Sequence, residues 1–145
     1  LYYWDYLCFW FILTLVNKVC IKMSDKKELE KIRKKVLYEE GTEAAGTSPL
    51  TKEKREGAYF CIGCGTKLFE SSAKYESGSG WPSFFQSLPD VFETKTDYHL
   101  GYLRTEYHCK KCGGHQGHIF DDGPKPTGKR YCNNGITLKF KHKKK

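Results

Sequence analysis

Leu103-Arg-Thr-Glu-Tyr-His-Cys109-Lys-Lys-Cys112-Gly-Gly-His115-Gln-Gly-His118-Ile-Phe120 carries three signals in one run: an alternating segment, two thiols two residues apart, and two histidines around a glycine. Leu103, Thr105 and Tyr107 alternate with Arg104, Glu106 and His108, which predicts a half-buried β-strand. Cys109-x-x-Cys112 has a counterpart upstream in Cys61-Ile-Gly-Cys64, and each pair is followed at once by glycine, Gly65 and Gly113. Two intervening residues let both sulfurs of a pair point into one tetrahedral corner, and the glycine lets backbone N–H groups turn toward them. Four such thiols predict a structural zinc ion held by Cys61, Cys64, Cys109 and Cys112, tying the N-terminal part of the β region to its middle. The set leaves no open coordination position and has no adjacent Glu base, which argues against a catalytic metal. A thioredoxin-like redox role for either pair would require a βαβ pattern, and none is present.

Outward from this run the same character continues. Ile136, Leu138 and Phe140 alternate with Thr137, Lys139 and Lys141, a second strand signal, and glycines punctuate the stretches between. Upstream of Ala58 the pattern changes. Residues 25–37 read as an amphipathic helix, with Asp25 and Glu28 as a cap and Leu29, Ile32, Val36 and Leu37 as one apolar stripe. Ser48-Pro49 and Gly57 bracket a second, short helical piece. At 145 residues the chain holds one domain, read as mainly antiparallel β with an N-terminal helical extension. A core this small gains from a metal tie.

The formal charge is +8, and residues 1–22 contribute only Lys18, Lys22 and Asp5, so the basicity belongs to the remainder. No aromatic-interleaved motif accompanies the lysines of 26–35 and of the tail from Lys139, so a solvated helix face and a basic terminus are expected, not a nucleic-acid surface. Zinc-holding thiols require a reducing compartment, which points to the cytoplasm. Residues 1–22 are apolar and aromatic, but the uncharged run from Tyr6 to Val16 is about half the ~20 residues of a spanning helix. They read either as sequence upstream of a start at Met23 or as a short membrane anchor, with the domain proper at 23–145.

Cys132 stands apart from the paired thiols, in Lys129-Arg130-Tyr131-Cys132-Asn133-Asn134. On one strand, Arg130, Cys132 and Asn134 share a face. A guanidinium beside a thiol favours thiolate, and an amide two residues on can bond substrate or sulfur, which together describe a nucleophilic cysteine. An unpaired cysteine also fits a buried, inert role. His115 and His118 would face opposite ways on a regular strand, and a bulge at Gly117 would bring both to one side, where they could transfer protons near neutral pH. A zinc hydrolase would need HExxH or a third ligand, and neither is present. In Ser77-Gly-Ser-Gly-Trp81-Pro82-Ser83-Phe84, Pro82 keeps Trp81 extended and the glycines allow a turn that exposes the indole as a pocket wall. A core tryptophan is the ordinary alternative.

These blocks together resemble the B-type peptide-methionine (R)-S-oxide reductases, from about Gly41 to Phe140. Cys61-x-x-Cys64, SGSGWPSF at 77–84, Cys109-x-x-Cys112, HQGHIFDDGP at 115–124 and TGKRYCNN at 127–134 stand in that family's order. The resemblance implies a small, twisted, partly closed antiparallel β domain with peripheral N-terminal helices and a structural four-cysteine zinc site. It implies Cys132 as nucleophile, and His115, His118 and Asn134 as groups that polarise or bond the substrate. Trp81 would meet the methionine methyl, Arg130 would accompany the cysteine, and Asp122 would support them. Gln116 and Asn133 stand where the family often has Leu and another hydrophobic residue, and they read as peripheral changes. Many members carry a resolving cysteine where this chain has Ser79.

The implied reaction is attack by Cys132 on the sulfur of methionine (R)-sulfoxide, in an oxidised protein or peptide or as the free amino acid, leaving methionine and a cysteine sulfenic acid. With four thiols on zinc and Ser79 in the resolving position, recycling falls to an external thiol such as a thioredoxin-like reductant, unless Cys8 or Cys20 resolves it. A monomer is expected. Two rival classes are a basic zinc-ribbon binding module and a redox sensor built on Cys132.

Overall fold

The computed structural model describes residues 25–144. The leader at 1–22, with Cys8 and Cys20, lies outside the described residues. Contacts divide the chain into residues 1–32 and 33–145. The described part of the first unit, residues 25–32, is helical, and this helix (α1) ends at residue 38 in the second. The expected apolar stripe is realised only in its last turn. Val36 and Leu37 are buried, and Leu37 lies against Gly114, whereas Leu29 and Ile32 are 45% and 41% exposed. The second helical piece is a single 3₁₀ turn, Pro49–Lys52, whose start is capped by Ser48 Oγ accepting the Leu50 N–H at 3.2 Å. Among the described residues, one α-helix and one 3₁₀ turn therefore stand where two helical pieces were expected.

Nine strands follow: β1 Gly57–Cys61, β2 Lys67–Glu70, β3 Lys74–Tyr75, β4 Ser83–Phe84, β5 Phe92–Asp97, β6 Arg104–Cys109, β7 His115–Phe120, β8 Arg130–Asn133 and β9 Leu138–His142. They form two sheets, ordered β2-β1-β9 and β3-β4-β8-β7-β6-β5, antiparallel at every pairing and not closed into a barrel. The core gathers Tyr59, Leu68, Phe69, Phe84, Tyr107 and Leu138. Phe69 stacks on Phe84 at 4.0 Å between ring centroids, and Tyr59 meets Phe84 edge-on at 4.9 Å.

Pairing register decides what the larger sheet presents. Phe84, Tyr131, Ile119 and Thr105 lie directly opposite one another across β4, β8, β7 and β6. Phe84 and Tyr131 both meet Phe69, so this row belongs to the core face. Side chains alternate between faces, so the adjacent row points the other way. That row reads Tyr75, Ser83, Cys132, His118, Glu106, Lys95 across β3, β4, β8, β7, β6 and β5.

The strand expected at 103–108 is therefore covered on both sides. Tyr107 and Cys109 enter the core, Glu106 is buried on the opposite face, and Leu103 precedes the strand and is exposed. The simple in-out alternation fails here because the polar face of β6 is itself roofed by the cluster described next.

Candidate active site

The pairing of β6 with β7 carries the anticipated irregularity. Tyr107 faces Gly117 and His108 faces His115, so Gln116 is an extra residue in β7 and the alternation resets. The rings of His115 and His118 consequently approach to 5.6 Å between centroids. Glycine at 117 is required by the neighbouring strand, since a Cβ there would lie 1.8 Å from the Cys132 carbonyl oxygen.

Each histidine is held by a carboxylate that no motif announced. His115 Nδ1 lies 2.7 Å from Glu106 Oε1, both side chains buried, and Lys95 Nζ approaches the other Glu106 oxygen at 3.4 Å. His115 Nε2 is buried and, among the described residues, has no hydrogen-bond partner. His118 Nε2 lies 2.8 Å from Asp97 Oδ2, and Arg104 donates to the same oxygen at 2.6 Å. The His99 N–H, His118 and Arg104 hold the Asp97 carboxyl well below the usual carboxylate range. Burial pushes His118 below its ordinary value; Asp97 works against this, while Arg104 and His115 add to it.

Cys132 sits directly opposite His118 on one side and Ser83 on the other. Ser79 Oγ is 3.9 Å from its sulfur. The expectation that Arg130 leaves this thiol acidic needs correction. Burial raises Cys132 above its ordinary value, and Ser79 and Arg130 offset only part of that. Arg130 is aimed by Asp122 through two hydrogen bonds, Nε to Oδ1 at 2.7 Å and NH2 to Oδ2 at 2.9 Å, and its guanidinium lies 4.3 Å from the Phe120 ring centroid. The pairing of Asp122 with Arg130 thus has a visible geometry.

Asn134 departs from the one-strand picture. β8 ends at Asn133, and Asn134 is the residue before a 3₁₀ turn, Gly135–Thr137. Its amide donates to Gln116 O at 3.0 Å and accepts the Glu43 N–H at 3.0 Å. Glu43, which sequence reasoning missed, is a hub. Its carboxylate accepts the Gly135 N–H at 2.5 Å and the Ile136 N–H at 2.9 Å, and its carbonyl accepts the Trp81 indole N–H at 3.1 Å. Trp81 is half-buried with its indole fixed at that point. Nothing in the local pattern around Glu43 signals this role, because every partner is remote in sequence.

Gln116 and Asn133 are not peripheral. Both are 0% exposed, and Asn133 Nδ2 donates to Gln116 Oε1 at 3.3 Å. Asn133 Oδ1 accepts the Tyr107 hydroxyl at 2.7 Å, and Gln116 Nε2 reaches Cys61 Sγ at 3.5 Å. The two positions where the chain departs from the apolar pattern therefore depart together, as one buried polar pair.

The paired cysteines converge. Cys61, Cys64, Cys109 and Cys112 place their sulfurs within 4.8 Å of one another, with Cys61 to Cys112 at 3.7 Å and Cys64 to Cys109 at 3.6 Å. The sulfurs of a tetrahedral tetrathiolate, with metal–sulfur bonds of ~2.3 Å, stand ~3.8 Å apart, so four thiols at these distances fit one metal ion. The two knuckles repeat each other: Gly65 N–H bonds Cys61 O at 2.8 Å and Gly113 N–H bonds Cys109 O at 2.7 Å, with Gly65 and Gly113 at φ +74° and +71°. Burial holds Cys61 and Cys112 above the ordinary thiol value. For Cys64 burial is outweighed by hydrogen bonds from Thr66, which bring it to about 7. A thiol crowd of this kind is stabilised as thiolates by a bound cation. The cluster joins the end of β1 in one sheet to the end of β6 in the other, the tie expected from spacing.

The sequence profile of the family described as the SelR domain matches residues 29–142. The chain is 53% identical over 116 residues to a protein of Leptospira interrogans serovar Lai named peptide methionine sulfoxide reductase MsrB, covering 79% of this chain and 88% of that protein. It is 47% identical over 116 residues to mouse methionine-R-sulfoxide reductase B3, mitochondrial, covering 79% of this chain and 46% of that protein. It is 46% identical over 117 residues to rice peptide methionine sulfoxide reductase B1, chloroplastic, covering 80% and 55%. The chain thus spans about half the length of the mouse and rice proteins. Among the described residues no helix is long and apolar enough to cross a membrane.

Proposed function

The chain belongs to the SelR-domain family, and from that premise we propose that it is a thiol-dependent oxidoreductase that reduces the R epimer of methionine sulfoxide in oxidised proteins and peptides. The observation that carries the reading is Cys132 directly opposite His118, with His115 brought beside His118 by the bulge. The Cys132 thiolate attacks the sulfoxide sulfur while a histidine proton moves to its oxygen. An S–S bond forms between Cys132 and the substrate as the S–O bond breaks and the doubly protonated oxygen leaves as water. Water then attacks the Cys132 sulfur, the S–S bond breaks to release methionine, and loss of a proton leaves Cys132 as a sulfenic acid.

His118, anchored through Nε2 on Asp97, and His115, whose Nε2 has no partner among the described residues, are assigned to the departing oxygen. Glu106 positions His115, and Asp122 positions Arg130. Trp81 is assigned to the substrate methyl. Only one sulfur epimer presents its methyl to the indole while its oxygen meets the histidines, which is the basis expected for selectivity. Asn134 holds the turn after Cys132 and thereby the nucleophile's backbone.

The metal is proposed to be one structural Zn²⁺ per chain on Cys61, Cys64, Cys109 and Cys112; the sulfur-only donor set and near-tetrahedral spacing support it. Bound there, the ion would neutralise the clustered thiolates and staple the two sheets. Among the described residues every cysteine except Cys132 belongs to that cluster, which supports recycling by an external, thioredoxin-like thiol. One thiol displaces the sulfenic oxygen as water and forms a mixed disulfide with Cys132, and a second attacks that disulfide, freeing the Cys132 thiol and leaving a disulfide in the reductant. Thiols in this state suit a reducing compartment, proposed as the cytoplasm, with the chain acting as a monomer.

The test is turnover of separated R and S epimers of a methionine sulfoxide peptide by the full chain with dithiothreitol, beside Cys132→Ser. R-only turnover that disappears in the variant is expected. Equal use of both epimers, or activity that survives without the thiol, refutes the assignment.

A further inference from the structure

Four of the large apolar side chains that the protein leaves exposed lie in one short segment. Tyr98, Leu100, Tyr102 and Leu103, in the loop between β5 and β6, are 56% to 67% exposed. The loop, residues 98–103, contains no Asp, Glu, Lys or Arg, although 29% of the chain is charged. A concentrated, uncharged apolar projection is costly to leave in water and marks a contact surface.

Its position says what that surface meets. The loop grows out of the site: Asp97, its first flank, anchors His118 at 2.8 Å, and Arg104, its other flank, bonds Asp97 at 2.6 Å. The His99 N–H turns back to Asp97 Oδ1 at 2.7 Å. The Arg104 guanidinium lies 5.8 Å from the Tyr102 ring centroid, so this ring stands on the face of the sheet that carries Cys132. We propose that the β5–β6 loop is the docking surface for the residues flanking a methionine sulfoxide in an unfolded, apolar stretch of polypeptide. The inference rests on the reductase reading and names the form of substrate that site takes.

The chemistry of the substrate supports this occupant. Methionine is mostly buried among other apolar residues, and its oxidation makes a polar sulfoxide that disrupts the packing around it. The segment then released carries apolar neighbours on both sides of the lesion. An apolar loop whose flanking Asp97 anchors His118, the residue paired with Cys132, captures such a segment.

The test uses the full chain and three substrates: N-acetylmethionine (R)-sulfoxide, a peptide with the sulfoxide between leucines and valines, and one with it between glycines and serines. The variant is Tyr98→Ser/Leu100→Ser/Leu103→Ser; Tyr102 is kept because it packs on Arg104. In the wild type the apolar peptide is expected to have a KM about tenfold below that of the Gly/Ser peptide, and in the variant this preference collapses while kcat holds. Leu100→Ala alone gives a smaller change in the same direction. Equal losses on all three substrates would show that the loop only holds Asp97 and His118, and no preference in the wild type would show that it binds nothing; either overturns the proposal. A wild type that turns over none of the three removes the reductase reading and the docking surface with it. A variant that changes the molecule's mass in light scattering without changing the preference assigns the loop to self-association, and also overturns the proposal.

Discussion

Ser79→Cys tests the geometry around the nucleophile most directly. Ser79 Oγ stands 3.9 Å from Cys132 Sγ, and a disulfide needs ~2.05 Å between sulfurs, so about 2 Å must be closed. The longer C–S bond supplies part of that. The rest falls to a backbone between Gly78 and Gly80, which lie at φ +73° and +91°, a region open to glycine that eases local adjustment. In the reduced state the substitution removes the bond between Ser79 Oγ and Ser77 Oγ at 2.8 Å, a loss of about 1 kcal/mol. After one turnover, the sulfenic acid on Cys132 should be attacked by the introduced thiol, releasing water and closing a loop between positions 53 apart in sequence. Constraining the unfolded chain by a loop that long stabilises the protein by about 4 kcal/mol, which for this size raises Tm by roughly 10 °C. The assay is intact mass and non-reducing peptide mapping after one equivalent of (R)-sulfoxide peptide, followed by a melt with and without reductant. The wild type should instead retain a sulfenic acid trappable by dimedone. Quantitative sulfenic acid in the variant with no 79–132 crosslink would refute the placement of Ser79 over the nucleophile.

Three other outcomes follow from the same site. If the thiolate of Cys132 and the proton of His118 act together, the opposed shifts, thiol raised from 9.0 and imidazole lowered from 6.5, leave fewer than about one molecule in three hundred with both at any pH. kcat/KM should therefore rise through the His118 value, run flat to the Cys132 value and fall above it; Asp97→Asn removes the charge that favours the imidazolium, so the acid edge moves lower and the plateau drops, whereas an unmoved edge excludes the pair. Glu106→Gln keeps an acceptor for His115 but discards the charge, and kcat should fall about 10- to 100-fold with KM nearly unchanged, as read by steady-state kinetics. Stripping metal with a chelator at neutral pH should melt the hold between the sheets, seen as a large drop in Tm that Zn²⁺ restores, and a melt insensitive to chelation would remove the structural metal.

The fold class was legible because glycine punctuation and period-two runs are local. The thiol knuckles were legible because CxxC followed by glycine restricts the turn that can form, and both turns indeed share one hydrogen-bond pattern through Gly65 and Gly113. The bulge between the histidines was legible for the same reason, although Gln116 is the extra residue and Gly117 the contact that needs no side chain. The carboxylates were hidden. Asp97 is 21 residues from His118, and Glu43 is 91 from Asn134. Glu106 occupies the outward place in an alternating strand, where a carboxylate ordinarily signals solvent.

The order β4-β8-β7-β6 is what sets Cys132, His118 and Glu106 side by side in one row, and periodicity contains no strand order. Gln116 and Asn133 make the same point from inside the protein. Each alone reads as a polar residue misplaced among apolar neighbours. Paired across β7 and β8 under the Tyr107 hydroxyl, each supplies what the other would otherwise lack in a dry interior, and together they link the turn that carries Cys61 to the strand that carries Cys132. Such compensation is a property of the pair, so it becomes readable only when register is known.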